Sequence, residues 1–92
     1  MAKVKVIFYG ALAKISREKW VNIEASSIKE LLNNLFEKYG EPFRDRILDE
    51  KGRLRRFIKI YVNGKDIRFL KDIETVLNER DEVLLIPAVG GG

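Results

Sequence analysis

The run Val83-Leu84-Leu85-Ile86 is apolar at every position and predicts a buried β-strand near the end of the printed sequence. A strand without polar positions is typical of the centre of a sheet, where it is covered at least in part on both faces. Other strands are therefore expected on both sides of it. The sequence then continues as Pro87-Ala88-Val89-Gly90-Gly91-Gly92, which offers few side chains to a core.

The first 24 residues predict an antiparallel hairpin. Residues 3–9 alternate as a strand, and residues 19–24 form a second strand after Gly10 and a loop through Ser16. Because successive side chains of a strand point to opposite faces, each strand is expected to have one apolar face. The residues expected to face the core are Val4, Val6, Phe8, Val21 and Ile23.

A long amphipathic helix is predicted after the hairpin. Ser27-Ile28-Lys29-Glu30 has the capping-box pattern, in which the Ser27 hydroxyl accepts from the Glu30 amide and the Glu30 side chain reaches back. Gly40, followed by Pro42, predicts the end of the helix. Apolar residues recur with a helical period and form one buried face, consisting of Ile28, Leu31, Leu32, Leu35, Phe36 and Tyr39.

The next residues predict short elements and a second hairpin. Residues 42–50 are expected to form a short amphipathic turn through Phe43, Ile47 and Leu48, followed by a reversal at Lys51-Gly52. Residues 57–62 predict a strand with Ile58, Ile60 and Val62 inward. The strand then turns at Asn63-Gly64, the favoured type I′ pair, into residues 65–67. Residues 70–77 are expected to form a loop or a single helical turn.

The order β-β-α-β-(β)-β predicts an α+β fold, the ubiquitin-like β-grasp, with a mixed sheet and one main helix packed across it. The last strand is expected to lie parallel beside the first. In this interpretation residues 1–87 form the β-grasp domain, and residues 88–92 form a flexible C-terminal glycine tail that leaves from the middle of the sheet.

The composition excludes several kinds of chemistry. The 92 residues fit one domain, and they include no Cys and no His. Thiol nucleophiles, disulfides, Cys/His metal sites and imidazole catalysis are therefore excluded, and no metal site is predicted. The net charge of +4 favours acidic partners, but the sequence has no nucleic-acid recognition motif. With no bilayer-spanning stretch or signal-peptide pattern, a soluble cytoplasmic protein without membrane or nucleic-acid partners is expected.

The glycine tail has one useful physical property, which is its thinness. An extended Gly-Gly can pass through a channel too narrow for any Cβ and deliver the Gly92 carboxylate to the active site of another protein. The alternatives are a frayed chain end and a linker remnant, although a linker would normally carry Ser or a tag.

Four segments resemble the small subunit of molybdopterin synthase, the family of MoaD-like sulfur carriers, across nearly the whole chain. They are Val6-Ile7-Phe8-Tyr9-Gly10, Val62-Asn63-Gly64, Asp81-Glu82-Val83 and the tail from Pro87 to Gly92. The tail is the specific part of the match, since the strand segments alone would be weak. Ala88 stands where the family usually has a second Pro, and Gly90 fills the variable position of its P-P-V-x-G-G end.

The resemblance implies a function in sulfur transfer. A partner E1-like adenylating enzyme would use ATP to activate the carboxylate of Gly92, and sulfur transfer would convert it to a thiocarboxylate. Gly90 and Gly91 would thread the tail into the large subunit of molybdopterin synthase, where the sulfur builds the molybdopterin dithiolene. The chain would be a non-catalytic sulfur donor with no stably bound cofactor. It would be a monomer alone and part of a heterotetramer with the large subunit.

A docking face beside the tail is also expected. Tyr9 and Ile86 are predicted to share the sheet face opposite the helix with Ile7, Tyr61 and Leu84, and Ile67 is predicted at its edge. The family resemblance adds weight to Tyr9, Ile67 and Ile86, and the partner-binding set is completed by Pro87 and Val89. The alternatives are that the chain's own segment 42–54 covers this face, or that its apolar residues are simply scattered surface exposure.

Two other features have a functional and a plainer interpretation. The basic residues Lys51, Arg53, Arg55 and Arg56 could steer an acidic partner or a phosphate-bearing substrate, or could form a solvated loop. Trp20 is expected to pack at a sheet edge.

Three other functions remain open from the sequence. The chain could be a ubiquitin-like modifier joined through Gly92 to lysines of other proteins. It could be a sulfur carrier for thiamin or for tRNA thiolation. It could also be a β-grasp interaction module with an inert tail.

Overall fold

The computed structural model describes residues 1–87 of the chain. The predicted flexible tail, with the assigned roles of Val89, Gly90, Gly91 and Gly92, lies outside the described residues. The strands are β1 (Ala2–Phe8), β2 (Trp20–Ala25), β3 (Lys59–Val62), β4 (Lys65–Asp66) and β5 (Glu82–Ile86). The helices are α1 (Gly10–Ser16), α2 (Ile28–Tyr39) and α3 (Glu41–Ile47), with 3₁₀ turns at Ile67–Phe69 and Asp72–Glu74.

The five strands form one mixed sheet in the order β2-β1-β5-β3-β4. β5 pairs in parallel with β1, with Val6 opposite Val83, and antiparallel with β3, with Ile60 opposite Leu85. β1 and β2 form the predicted antiparallel hairpin. The ubiquitin-like β-grasp is therefore confirmed, with the apolar strand at the centre of the sheet and parallel to the first strand.

One face of the sheet is buried under the helices. Val83 and Leu85 are fully buried, whereas Leu84 and Ile86 on the other face of β5 are only half-buried. The central strand is thus fully covered only on the face that packs against the helices. The core combines inward strand residues with the apolar faces of all three helices: Val4, Val6, Phe8, Leu12, Ile28, Leu31, Leu35, Phe43, Ile47, Ile58, Ile60, Val62, Val83 and Leu85.

The predicted capping box begins α2. The Ser27 hydroxyl accepts a hydrogen bond from the Glu30 amide at 3.2 Å. The Glu30 carboxylate reaches back one residue beyond the cap and accepts from the Ser26 amide at 2.7 Å. The bond from Ser27 satisfies the Glu30 amide, which has no partner within the first turn of the helix.

Two segments are more helical than the sequence predicted. Residues 10–16, predicted as a loop, form α1, in which Leu12 is fully buried. Ala11, Leu12 and Ala13 are good helix formers, but seven residues are too few for a periodic apolar pattern. The amphipathic turn predicted at 42–50 is the helix α3, with Pro42 in its first turn, where a missing amide does no harm.

The third strand is shorter than predicted, because residues 56–57 lie in a turn and β3 begins at Lys59. The turn after it has the expected type I′ signature, with positive φ at both Asn63 and Gly64. The Asn63 side chain donates to the Asp81 carboxylate and accepts from the Glu82 amide, each at 2.9 Å. The Asn63-Gly64 turn therefore also fixes the entry to the central strand.

A group of aromatic rings joins α3 to the sheet. The Phe43 ring is fully buried, with its centroid 5.5 Å from that of Phe8 and 5.1 Å from that of Tyr39. The Tyr39 hydroxyl donates to the Glu18 carboxylate at 3.1 Å. Burial, reinforced by this hydrogen bond and by the Glu18 charge, raises the pKa of Tyr39 to about 12. Phe43 thus contacts both β1 and the end of α2.

Candidate functional site: the tail exit and the open sheet face

The chain leaves the sheet at Pro87, directly beside the junction of β1 and α1. The Tyr9 amide donates to the Leu85 carbonyl at 3.2 Å, which extends the pairing of β1 with β5 to this junction. Gly10 has φ +54°, and a Cβ placed on it would lie 3.1 Å from Cγ of Pro87. The root of the tail is thus packed against a position that suits glycine both in conformation and in space.

Gly10→Ala is expected to destabilise the protein by about 2–3 kcal/mol, because it adds a crowded contact with Pro87 to the strain of a positive φ. Gly52→Ala is a matched control, since Gly52 has φ +78° but open space within 4 Å of the position that a Cβ would take. Its expected loss is about 1–2 kcal/mol, from conformation alone. Urea denaturation of both variants measures the difference. Equal losses would contradict a packing role for Gly10 at the tail root.

The face opposite the helices carries an apolar row that crosses four strands. In the strand register, Ile7 lies opposite Trp20 on β2 and Leu84 on β5, and Leu84 lies opposite Tyr61 on β3. Ile86 lies in the adjoining row at the end of β5. Tyr9, at the end of β1, is 44% exposed, whereas Ile7, Tyr61, Leu84 and Ile86 are half-buried. We call these six residues, Ile7, Tyr9, Trp20, Tyr61, Leu84 and Ile86, the open face.

The predicted position of Tyr9 and Ile86 beside the tail exit agrees with the structure, and their role in partner binding stays a prediction. The alternative that segment 42–54 covers this face is wrong. Phe43 and Ile47 belong to the core cluster on the helical side of the sheet. Trp20 lies on the edge strand β2, 51% exposed, with the Lys5 ammonium 4.8 Å from its ring centroid.

Ile67 does not lie at the edge of the open face, as the sequence predicted. It is only 2% exposed and belongs to the core. β4 pairs with β3 so that Asp66 lies opposite Tyr61, and this register puts the next residue, Ile67, on the core face with Ile60. The Asp66 carboxylate accepts from the Arg68 amide at 2.9 Å and begins a 3₁₀ turn there. The exposed apolar residue of this turn is Phe69. Ile67 therefore cannot contact a partner directly.

In the fold, only two of the four basic residues predicted as a run lie near the root of the tail. Arg55 and Arg56 line a cleft of about 330 Å³ that also contains Pro87, whereas Lys51 and Arg53 do not line it. Arg46, from α3, joins Arg55 and Arg56 in this cleft. The sequence did not single out Arg46, because the helix that brings it to the loop was predicted only as a turn.

Neither a metal site nor a membrane span is found in the described part of the chain. Within residues 1–87, no group of three Asp or Glu side chains is arranged to hold a metal ion. Over the same residues, no helix has both the length and the apolar character needed to cross a bilayer.

The chain is similar in sequence and in structure to several known proteins. The family model described as the ThiS family matches residues 6–92. A putative sulfur carrier protein of Archaeoglobus fulgidus is 33% identical over 72 residues, which cover 78% of this chain and 81% of the relative. The match with the ThiS family thus includes the tail, the whole of the central strand β5 and β1 from Val6 onward.

Two solved structures extend the likeness. The small archaeal modifier protein 1 (SAMP1) of Methanosarcina acetivorans superposes with a TM-score of 0.88 at 32% identity, covering 100% of this chain and 98% of that one. A chain of the BexX/CysO complex of Amycolatopsis orientalis superposes with a TM-score of 0.83 at 29% identity, covering 97% and 99%. The similar proteins thus include a sulfur carrier, a small modifier and a carrier in complex with another protein.

Proposed function

Because the chain belongs to the ThiS family, we propose that this ubiquitin-like sulfur carrier or small modifier is the sulfur-donating subunit of a molybdopterin synthase. Gly92 is the residue that carries the sulfur in this proposal, and Gly90 and Gly91 thread the tail into the partner. The observation that carries it is the path of β5. This strand runs through the centre of the sheet and ends at Ile86, beside the open face, and three residues separate it from Gly90 in the sequence.

The chemistry required of this chain is limited to one carboxylate. A carboxylate is a poor acylating group until one of its oxygens becomes part of a good leaving group. In the proposed sequence, a Gly92 oxygen attacks the α-phosphorus of ATP on the E1-like partner and displaces pyrophosphate. Hydrosulfide from the sulfur donor then attacks the acyl carbon and displaces AMP, and loss of the remaining proton leaves a thiocarboxylate. The chain has no Cys that could divert this sulfur by exchange.

The proposed chemistry requires two partner proteins. The large subunit of molybdopterin synthase and the E1-like adenylating enzyme use the same tail, so they bind in turn. Pro87 and Val89 guide the tail, and the open face provides the apolar contact beside it. ATP is consumed on the activating enzyme, and this chain retains no cofactor. The proposed location is the cytoplasm, with a monomer before docking and a heterotetramer after it.

Docking is expected to depend on the end of the open face nearest Pro87. The double variant Tyr9→Ala/Ile86→Ala should weaken binding to the large subunit about 10- to 100-fold, because truncating central apolar contacts costs roughly 1–3 kcal/mol in an interface. Val76→Ala is the control. Val76 is 64% exposed and pairs with Ser27, away from the tail exit. Isothermal titration measures the affinities, and an unchanged affinity of the double variant would count against this docking surface.

Conjugation to proteins is the second candidate, favoured by the 32% identity to the modifier SAMP1 over the whole chain. In that function the amine of a lysine side chain attacks the acyl carbon of the Gly92 adenylate, displaces AMP and, after losing a proton, forms an isopeptide bond. Sulfur donation in thiamin synthesis or tRNA thiolation would use the same thiocarboxylate with a different acceptor.

Reconstitution separates these functions. The thiocarboxylated chain is mixed with the large subunit and the dithiolene precursor, and in a parallel reaction the activated chain is added to a lysate of the source organism. Dithiolene formation in step with loss of the thiocarboxylate supports the molybdopterin assignment. Covalent adducts through Gly92 without dithiolene formation would contradict it and favour the modifier.

A further inference from the structure

We infer that the cleft of Arg46, Arg55 and Arg56 beside Pro87 is a second docking site, which receives acidic side chains of the protein that activates the tail. This inference rests on the proposed function, because it assigns part of the contact with the adenylating enzyme. It is separate from the open face, since it is built by α3 and the loop before β3. We call it the arginine cleft.

The arginine cleft combines positive charge with an apolar floor. Arg46 comes from α3, and Arg55 and Arg56 come from the loop before β3. Phe57, Ile58 and Pro87 supply the apolar part of the lining. The Phe57 ring is 63% exposed, and the Arg56 guanidinium lies 5.6 Å from its centroid. Exposed aromatic and arginine side chains together are typical of energetically important protein interfaces.

The positive charge of the arginine cleft is not neutralised within the described part of the chain. Asp49 is the one acidic residue in its lining. Its carboxylate is already engaged by the amides of Lys51 and Arg53 and by the Arg53 guanidinium at 3.4 Å. The Arg53 amide contributes most to lowering the pKa of Asp49, so this group stays ionised but occupied.

The ion pairs found elsewhere lead to the same conclusion. Between residues 1 and 87, the two ion pairs are Arg53–Asp49 and Arg44–Asp45. Neither includes an arginine of the cleft. The three guanidinium groups therefore form no ion pair within residues 1–87, and although Arg55 donates from Nε to the Asp45 carbonyl, its two terminal nitrogens can still form paired hydrogen bonds with a carboxylate.

The loop that carries these arginines is held in place before any partner arrives. Arg55 donates from its amide to the Ile47 carbonyl at 2.9 Å and from Nε to the Asp45 carbonyl at 2.7 Å. The Arg68 guanidinium donates to the carbonyls of Arg56 and Ile58, each at 2.9 Å. Binding therefore loses little backbone freedom, which favours affinity.

The position of the arginine cleft favours a protein that takes up the tail as its ligand. Residues 88–92 span at most about 18 Å even when fully extended, so a protein that takes Gly92 into its active site must come close to Pro87. Because Pro87 lines the cleft, the same protein is brought against the arginines. Nucleic acid is a weaker match, since a single aromatic residue lines the cleft and no stacking series is present there.

The test compares variants in sulfur loading by the adenylating enzyme of the source organism, with ATP and a sulfur donor. The triple variant Arg46→Gln/Arg55→Gln/Arg56→Gln is expected to lower kcat/KM about tenfold or more at low salt, because weaker docking raises KM. Its dependence on salt between about 50 and 300 mM should also be flatter than that of the wild type. The control Lys14→Gln/Lys29→Gln/Lys38→Gln removes the same charge from exposed positions on α1 and α2. Its kcat/KM should stay within about twofold of the wild-type value.

Two further variants separate charge from fold. The variant Arg46→Gln/Arg56→Gln keeps the hydrogen bond from the Arg55 side chain to the Asp45 carbonyl. It should still show most of the decrease in kcat/KM. Arg46→Lys/Arg55→Lys/Arg56→Lys keeps the charge and should recover the salt dependence, with part of the affinity lost because paired hydrogen bonds are missing. Recovery of kcat/KM by the lysine variant supports docking by charge.

The outcomes distinguish this inference from the proposed function. If the wild type gains no sulfur with an active enzyme, the proposed function fails. If the wild type is loaded and the triple glutamine variant has the same kcat/KM and salt dependence, the acidic docking site is overturned. If that variant instead loses only the binding of total tRNA, measured by fluorescence anisotropy, the ligand is nucleic acid and the inference is also overturned.

Discussion

Deletion of Gly92 is expected to lower the rate of sulfur loading by a factor of about 100 or more, although the shortened chain still ends in Gly-Gly. The deletion shortens the reach of the tail from Pro87 by about 3.5 Å. Attack on ATP requires the reacting atoms to approach within about 3–3.5 Å, so a shift of one residue removes the carboxylate from the reaction geometry. Intact mass spectrometry over a time course with the adenylating enzyme measures this rate.

Two matched variants test whether length or glycine content causes the loss. Deletion of Ala88 shortens the tail equally but keeps Gly90, Gly91 and Gly92, and it should cause a similar loss. Ala88→Gly keeps the length and leaves Gly90, Gly91 and Gly92 unchanged, so it should be loaded at nearly the wild-type rate. Rapid loading of the chain without Gly92 would contradict a fixed reach from Pro87.

Phe43→Ala is expected to lower the free energy of unfolding by about 3–5 kcal/mol, a large part of the roughly 5–15 kcal/mol typical of a domain. Phe43 is fully buried, and its ring contacts those of Phe8 and Tyr39 at centroid distances of 5.5 and 5.1 Å. Removing the ring leaves a cavity between α3, the end of α2 and β1. Because α3 also carries Arg46, the loss should disturb the arginine cleft as well.

The control for this variant is Phe69→Ala, which makes the same chemical change at a residue that is 85% exposed. Its expected effect lies within about 0.5 kcal/mol. Urea denaturation followed by circular dichroism gives both values. Similar stabilities for the two variants would show that α3 is not anchored through Phe43, which would contradict the packing described here.

The sequence predicted the elements whose signals are long or chemically specific. The wholly apolar run at Val83–Ile86 predicted the central strand, and the Ser27 cap with six periodic apolar residues predicted α2. The Asn63-Gly64 turn was also predicted, because Asn and Gly are the residue types that best tolerate the positive φ values observed there. In each case the local preference and the tertiary environment favour the same structure.

The predictions that were incomplete or wrong depended on tertiary contacts. α1 is only seven residues long, and its burial through Leu12 is decided by the sheet and not by a periodic pattern. Ile67 was predicted at the edge of the open face, but the register of the Asn63-Gly64 hairpin, in which Asp66 pairs with Tyr61, places it on the core face with Ile60. Arg46 and Arg55 are nine positions apart in sequence, and their meeting requires the return of the chain after α3.

The most direct test of sulfur carriage is the intact mass of the wild-type chain after incubation with its adenylating enzyme, ATP and a sulfur donor. Exchange of one oxygen for sulfur adds about 16 Da, and fragmentation should assign the gain to Gly92. A reaction without ATP is the control and should leave the mass unchanged. An unchanged mass with ATP and an enzyme proven active, or a gain assigned to any other residue, would contradict sulfur carriage at Gly92.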